Sequence, residues 1–225
     1  MKKFLSRVFS MLIGTSLYAI GLVLTIKANI GYGPWEVFHA GLGSKFGVGI
    51  GVASVFVSIV IVIIVTLCGE KFGIGTIAGM IITGLLIDVI IWINIIPTPD
   101  NFWLGSAMLI SGLFIVALGS YFYIRSALGI GPRDNLMVVL TRKTKWPVGV
   151  CRGIVEITVT LIGWLLGGKV GVGTIISMLA IGFCIQITFR VLRFDVTAVS
   201  HETLRGTYSA LIAKKREHKK ERNAS

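Results

Sequence analysis

Six long apolar stretches constrain the fold of this chain more than any other feature. A helix needs roughly 20 predominantly apolar residues to cross the hydrocarbon core of a bilayer. In lipid its backbone polar groups must be satisfied within the helix. The stretches that reach this length are Val8–Lys27, Ile50–Cys68, Ile74–Ile96, Phe102–Ile124, Val148–Leu166 and Val172–Val191. The sequence therefore predicts an all-α integral membrane protein with six transmembrane helices.

The composition excludes the main soluble classes. Charged residues make up 14% of the 225 residues, and hydrophobic residues make up 54%. A soluble domain carries roughly 25% charged residues. The net charge of +12 comes from basic residues between the apolar stretches and in one tail. We therefore predict the lipid bilayer as a partner and no nucleic acid.

The distribution of Lys and Arg predicts the orientation. With the N-terminus in the cytoplasm, the inner segments hold 19 of the 22 basic residues. The outer segments hold only Lys27, Lys45 and Lys169. Cytoplasmic loops carry the excess of Lys and Arg in membrane proteins. The sequence therefore predicts that both termini are cytoplasmic, and that the first stretch is an anchor rather than a cleaved signal peptide.

The chain matches itself at a fixed offset of 98 residues. Over Gly14–Ile90 the match contains 24 identities in 77 positions, nine of them glycines. We expect a first three-span repeat at 1–98, a second at 99–193, and a basic amphipathic tail at 194–225 that is disordered at its end. Because three spans are an odd number, the second repeat enters the membrane from the opposite side. Inverted repeats are a common transporter architecture; a duplication kept for packing alone is the other interpretation.

Three motifs resemble the bacterial membrane proteins of the YczE/YyaS/YitT family. They are the run Ala28–Leu42, the Gly-Ile-Gly-Thr stretch at Gly73–Thr76, and the Gly-Pro-Arg-Asp-Asn-Leu-Met stretch at Gly131–Met137. The resemblance covers essentially Leu5–Arg193. It implies a multi-pass protein of the bacterial plasma membrane, and it carries no substrate or catalytic residue with it.

Each repeat contains a G-x-G-P motif between its first two spans. Glycine permits unusual backbone angles, and proline suits the first turn of a helix. An acidic residue two positions after the proline favours the positive helix N-terminus, although it also makes the amides there a poorer anion site. The sequence therefore predicts a short broken half-helix in each repeat. The motif residues are Gly31, Gly33, Pro34 and Glu36 in the first copy, and Gly129, Gly131, Pro132 and Asp134 in the second.

The sequence is compatible with two placements of these half-helices relative to the membrane. They either re-enter the membrane from opposite faces and form a solute site near its midplane, or lie flat at the interface with Trp35 as an anchor. Arg133 and its basic neighbours favour the cytoplasmic surface for the second copy. His39, on the first half-helix, is a candidate proton-sensitive ligand or an ordinary polar surface residue.

Ionisable residues within the spans are the remaining candidates for a solute or ion pathway. Asp88 lies among apolar residues, and its repeat equivalent is Gln186. A charge at this depth is costly, so Asp88 either couples a cation or proton or holds helices together. Glu156 lies four residues after Arg152, a spacing that favours a local ion pair.

We expect a secondary transporter or facilitator of a small solute. The alternative is a membrane scaffold or accessory subunit of an export, biosynthetic or ATPase-driven uptake system, with a partner membrane protein or a second copy as its partner. We expect no enzymatic activity, cofactor or metal, because the chain lacks nucleotide, zinc and nucleophile-elbow motifs.

Overall fold

The computed structural model describes residues 2–70, 72–129 and 131–195, and side chains from residue 4 onward. Within these ranges the chain forms eight α-helices and no strand. The predicted amphipathic face of the tail and its predicted disordered end lie outside the described residues. The helices are α1 (Lys2–Lys27), α2 (Pro34–Phe46), α3 (Ile50–Leu67), α4 (Ile74–Ile93), α5 (Phe102–Arg125), α6 (Pro132–Thr144), α7 (Val148–Leu165) and α8 (Val172–Val191).

Six of these helices, all except α2 and α6, are long and apolar enough to cross a membrane. The prediction of an all-α chain with six candidate spans is confirmed. Two predicted ends move by more than one residue. Helix α4 ends at Ile93 rather than Ile96, because Asn94 adopts a left-handed conformation with φ of 55°.

Helix α1 begins at Lys2, six residues before the predicted apolar stretch. The helix therefore includes polar residues that precede the apolar stretch. One of them, Arg7, binds backbone carbonyls at the end of α5. The Arg7 guanidinium donates from Nε to the carbonyl of Ser126 at 2.7 Å and from Nη2 to that of Ala127 at 2.8 Å. Such bonds satisfy carbonyls that a helix end leaves without intrahelical partners.

The helix boundaries follow the 98-residue offset. Helices α2 and α6, α3 and α7, and α4 and α8 each begin and end 98 residues apart, and α1 and α5 end 98 residues apart. The self-match of the sequence therefore corresponds to a repeated order of helices, long–short–long–long, in the two halves of the chain.

Helices α1 and α5 pack closely in antiparallel directions. A methyl group placed on Gly14 would lie 2.9 Å from the carbonyl oxygen of Gly119, and one on Gly21 would lie 2.7 Å from that of Gly112. The earlier glycine of each helix thus meets the later glycine of the other. Only glycine allows backbones to approach this closely in a membrane helix pair.

The extended segment after each long first helix is bound to the other half of the chain. The amide of Gly173 donates to the carbonyl of Ile30 at 2.7 Å, and the amide of Gly75 donates to that of Leu128 at 3.0 Å. These two hydrogen bonds are related by the same 98-residue offset. Each half therefore anchors the segment that leads into the other half's short helix.

Candidate functional site

The two short helices α2 and α6 meet at their N-termini. Each begins at the proline of its G-x-G-P motif. The glycines before them, Gly31 and Gly129, take φ of 114° and 158°, which residues with a side chain rarely adopt. Oε1 of Glu36 lies 3.5 Å from Nη1 of Arg133. The first turn of α2 therefore forms an ion pair with the first turn of α6.

Trp35 and Arg133 are repeat equivalents, and they contact each other. The Arg133 guanidinium carbon lies 4.7 Å from the centre of the Trp35 ring, a distance at which a cation is attracted to the face of an indole. Contact between equivalent residues marks the place where the two halves meet. Trp35 is 8% exposed and packs with Val57 and Val139 in an apolar cluster, so it is not a surface anchor.

The Arg133 side chain does not point into solvent. It points to the buried Glu36 and Trp35 and is only 23% exposed. The other basic residues of α6, Arg142 and Lys143, lie at its exposed end. The position of this half-helix at the cytoplasmic surface stays a prediction.

The acids of both motifs fold back over their own helix N-termini. A methyl group on Gly33 would lie 2.5 Å from Oε2 of Glu36, and one on Gly131 would lie 3.2 Å from Oδ2 of Asp134. A carboxylate in the first turn is favourable because of the helix dipole. Each acid thus lies beside the N-terminus of its own helix. That these acids make the amides there a poorer anion site stays a prediction.

Two buried polar atoms beside this ion pair lack a hydrogen-bond partner among the described residues. They are Nε2 of His39 and Oγ of Ser177, whose residues are 2% and 3% exposed. Oε1 of Glu36, whose residue is 6% exposed, has the ion pair with Arg133 but no hydrogen bond. His39 follows Glu36 by one turn of α2. The β-carbon of Ser177, on α8, lies 4.0 Å from where a methyl on Gly33 would be. We call Glu36, His39, Arg133 and Ser177 the central polar cluster.

Unsatisfied buried polar groups are uncommon in folded proteins, and each calls for a water, an ion or a ligand that completes it. The central polar cluster offers a carboxylate, a guanidinium, an imidazole and a hydroxyl. Sequence reasoning selected Glu36 and His39 but missed Arg133 and Ser177. Ser177 carried only a small-residue packing signal, since its repeat equivalent is Gly79.

Asp88 lies apart from this cluster and binds the start of α3. The amide of Gly51 donates to its Oδ1 at 2.7 Å, and the amide of Val52 donates to its Oδ2 at 2.8 Å. These are the second and third residues of α3, whose N-cap, Gly49, has no side chain to cap them. Asp88 therefore acts as an N-cap supplied by another helix.

The repeat equivalent, Gln186, has no matching role. Its side chain is exposed on α8. The corresponding N-cap of α7 is Pro147, which makes no side-chain cap. The two polar positions of the predicted ion pathway are thus arranged differently in the two halves.

Glu156 forms the local ion pair that its spacing indicates. Nε of Arg152 donates to Oε1 of Glu156 at 2.8 Å within α7. The structure therefore accounts for this buried acid within one helix. No group of three His, Cys, Asp or Glu side chains that could hold a metal ion is found in the part of the chain that the structure describes.

Comparisons with known proteins agree with the resemblance seen in the motifs. Residues 5–190 match the family of unknown function DUF6198. The chain is 32% identical to the uncharacterized membrane protein YczE of Bacillus subtilis over 78% of its own length and 81% of that protein. It is 28% identical to an uncharacterized protein of Haemophilus influenzae, over 81% of this chain and 83% of that one.

A third relative is the uncharacterized protein YyaS of Bacillus subtilis, 25% identical over 78% of this chain and 88% of that protein. No solved structure matches the chain. The predicted membership of the YczE and YyaS group is confirmed, and with it a multi-pass membrane protein. The chain belongs to the DUF6198 family.

Proposed function

We propose that this chain is a secondary transporter or facilitator for a small polar solute in the bacterial plasma membrane. Its two halves, 1–98 and 99–193, are inverted three-span repeats with both termini in the cytoplasm. The proposal assigns no catalytic step and no cofactor to the chain.

The antiparallel packing of α1 and α5 supports the inverted relation of the halves. These helices are repeat equivalents, so their opposite directions imply that the halves cross the membrane in opposite senses. The excess of Lys and Arg in the segments assigned to the inside supports the orientation.

The central polar cluster is the observation that carries the transport proposal. Binding sites of inverted-repeat transporters lie where the repeats meet and are built from discontinuous helices. Here Glu36 of one short helix pairs with Arg133 of the other, and two polar atoms beside them, on His39 and Ser177, lack hydrogen-bond partners among the described residues. Buried polar groups of this kind are expensive in a membrane protein and mark solute pathways. A solute with both hydrogen-bond donors and acceptors fits such a cluster.

A thermal-shift screen of the purified protein against a metabolite library tests the proposal. A solute that binds only the folded state raises its stability. We expect Ser177→Ala to leave the melting temperature of the free protein unchanged, because its hydroxyl makes no hydrogen bond, but to reduce the shift caused by the solute. Ser106→Ala removes another unpartnered buried hydroxyl outside the cluster and is the matched control.

Transport itself is measured by loading the solute that the screen identifies into vesicles that contain the protein. We expect Glu36→Gln to abolish uptake while the protein still folds. Uptake that is unchanged in both Glu36→Gln and Ser177→Ala would contradict the assignment of the central polar cluster.

One observation favours the alternative of a membrane scaffold. A shallow groove between α7 and α8 is exposed and almost entirely apolar, and it is lined by Ile157, Thr160, Leu161, Trp164, Val170 and Met178. A helix of a partner protein or of a second copy fits a groove of this kind. Co-purification of a membrane protein that protects these residues, with no solute found in the screen, would favour the scaffold over the transporter.

A further inference from the structure

Helices α3 and α4 are packed against each other at glycines. A methyl group on Gly51 would lie 1.9 Å from the carbonyl oxygen of Gly84, and one on Gly84 would lie 2.4 Å from Cγ2 of Val55. Asp88, one turn beyond Gly84, binds the first amides of α3. We call Gly51, Val55, Gly84 and Asp88 the closed contact.

The equivalent positions on α7 and α8 do not touch. The 98-residue offset places Gly149, Gly153 and Gly182 at the positions of Gly51, Val55 and Gly84. No atom of a neighbouring element lies within 4 Å of a methyl group placed on any of these three glycines. The fourth equivalent, Gln186, is exposed. We call these four residues the open contact.

The open contact has the small residues that close packing of two helices requires. Gly149 and Gly153 have the GxxxG spacing that lets a second membrane helix approach closely. Glycine within a helix is less favourable than alanine when nothing packs against it. The closed contact identifies the element that fits this surface, because α4 covers α3 at the equivalent residues. The matching partner for α7 is α8 of the same chain.

We propose that the two contacts close alternately. In the second state, α8 packs on Gly149 and Gly153 through Gly182, the Gln186 side chain accepts a hydrogen bond from the start of α7, and Asp88 releases α3. This inference rests on the proposed function, since it describes how the central polar cluster is reached. Ser177 of that cluster lies on α8, so a movement of α8 changes the cluster directly.

The exchange would open the cluster to opposite faces of the membrane. In inverted repeats, the start of α3 and the start of α7 lie on opposite sides. The present structure is closed where α3 begins and open where α7 begins. Alternating access in inverted-repeat transporters is a rocking of one repeat against the other around a fixed site. Asp88 is then the latch of the present state, and Gln186 the weaker latch of the other.

Distances between pairs of spin labels on the purified full chain test the exchange without any solute. The matched pairs are Val52 with Trp92, and Val150 with Arg190, which are exposed and related by 98 residues. We expect Val52–Trp92 to give mainly a short distance. We expect Val150–Arg190 to give mainly a long distance, with a minor population at the short one. Protein that carries one label only identifies distances between two copies.

Asp88→Leu should shift both pairs in opposite directions. The short population of Val150–Arg190 should rise roughly three- to tenfold, the factor that one or two interhelical hydrogen bonds supply, while that of Val52–Trp92 falls. Gly182→Leu should remove the short Val150–Arg190 distance. This variant adds bulk at a position that contacts nothing in the present state, so it folds even if Asp88→Leu does not.

A single long Val150–Arg190 distance in wild type and in Asp88→Leu would overturn the exchange. A single long distance in wild type and in Gly182→Leu would do so if Asp88→Leu cannot be purified. A short distance that appears also in singly labelled protein would assign the open contact to a second copy instead. If the exchange is observed but no solute is transported, the proposed function fails and the exchange stands. Transport without the exchange would leave the function intact and remove this mechanism.

Discussion

Helix pairs α3–α4 and α7–α8 have the same lengths and equivalent positions in the sequence, yet one is joined and the other is apart. Gly51 and Gly84 bring the first pair into backbone contact, whereas Gly149 and Gly182 contact no neighbouring element. The residues that differ at the latch position are Asp88 and Gln186. A carboxylate accepts stronger hydrogen bonds from amides than a neutral amide does, and it also favours the positive end of a helix. Small residues therefore permit the contact between two helices, and the capping residue stabilises it.

The largest expected effect is a difference in stability between Gly51→Ala and Gly149→Ala. The new methyl at position 51 meets the carbonyl oxygen of Gly84, so the helices must separate. We expect the free energy of unfolding to fall by about 1–3 kcal/mol, the usual cost of overpacking. Gly149→Ala should change it by less than about 0.5 kcal/mol, because nothing packs on Gly149 and it is the second residue of α7, outside the helix interior where glycine is costly. Unfolding of both variants in detergent is the measurement, and equal losses would remove the contrast between the pairs.

A smaller contrast is expected between Asp88→Leu and Gln186→Leu. The first variant leaves the amides of Gly51 and Val52 without their acceptor, and loss of a helix cap costs about 0.5–2 kcal/mol. The second removes a side chain that is exposed in this state, so its stability should match wild type. Asp88→Asn keeps an acceptor oxygen and should lie between Asp88→Leu and wild type. Thermal denaturation ranks the three, and a silent Asp88→Leu would exclude the latch.

The smallest expected contrast is between Gly153→Ala and wild type. Because nothing packs on Gly153 in this state, alanine should stabilise the helix by about 0.5–1 kcal/mol. The same methyl should hinder α8 from closing on α7, and transport should therefore slow. A gain in melting temperature together with slower uptake is the expected pair of results. A faster or unchanged uptake would indicate that α7 never meets α8 at this residue.

The sequence predicts the elements of the fold well because two independent signals coincide. Apolar length marks the six candidate spans, and the 98-residue offset requires matching elements in the two halves. The G-x-G-P motifs also predict where α2 and α6 begin, since glycine and proline act through the local backbone.

The contacts between elements were harder to predict. The partners of Asp88 are backbone amides of α3, which have no side-chain signature in the sequence. Arg133 lies in a basic segment, which is typical of a cytoplasmic surface. Only the contact between the two short helices brings its side chain to Glu36. The internal match favours equal packing in both halves, whereas the structure has α7 and α8 apart. These features depend on the tertiary arrangement of the helices, which a local sequence pattern does not report.

Labelling of two equivalent residues tests the opposite orientation of the halves most directly. Lys45 and Lys143 are exposed and 98 residues apart. Each is replaced by cysteine in a chain whose Cys68, Cys151 and Cys184 are changed to serine, and intact cells are treated with a membrane-impermeant maleimide. Because the two halves are inverted, we predict that Lys45→Cys is labelled in intact cells and Lys143→Cys only after permeabilisation. Labelling of both from the same side would contradict it.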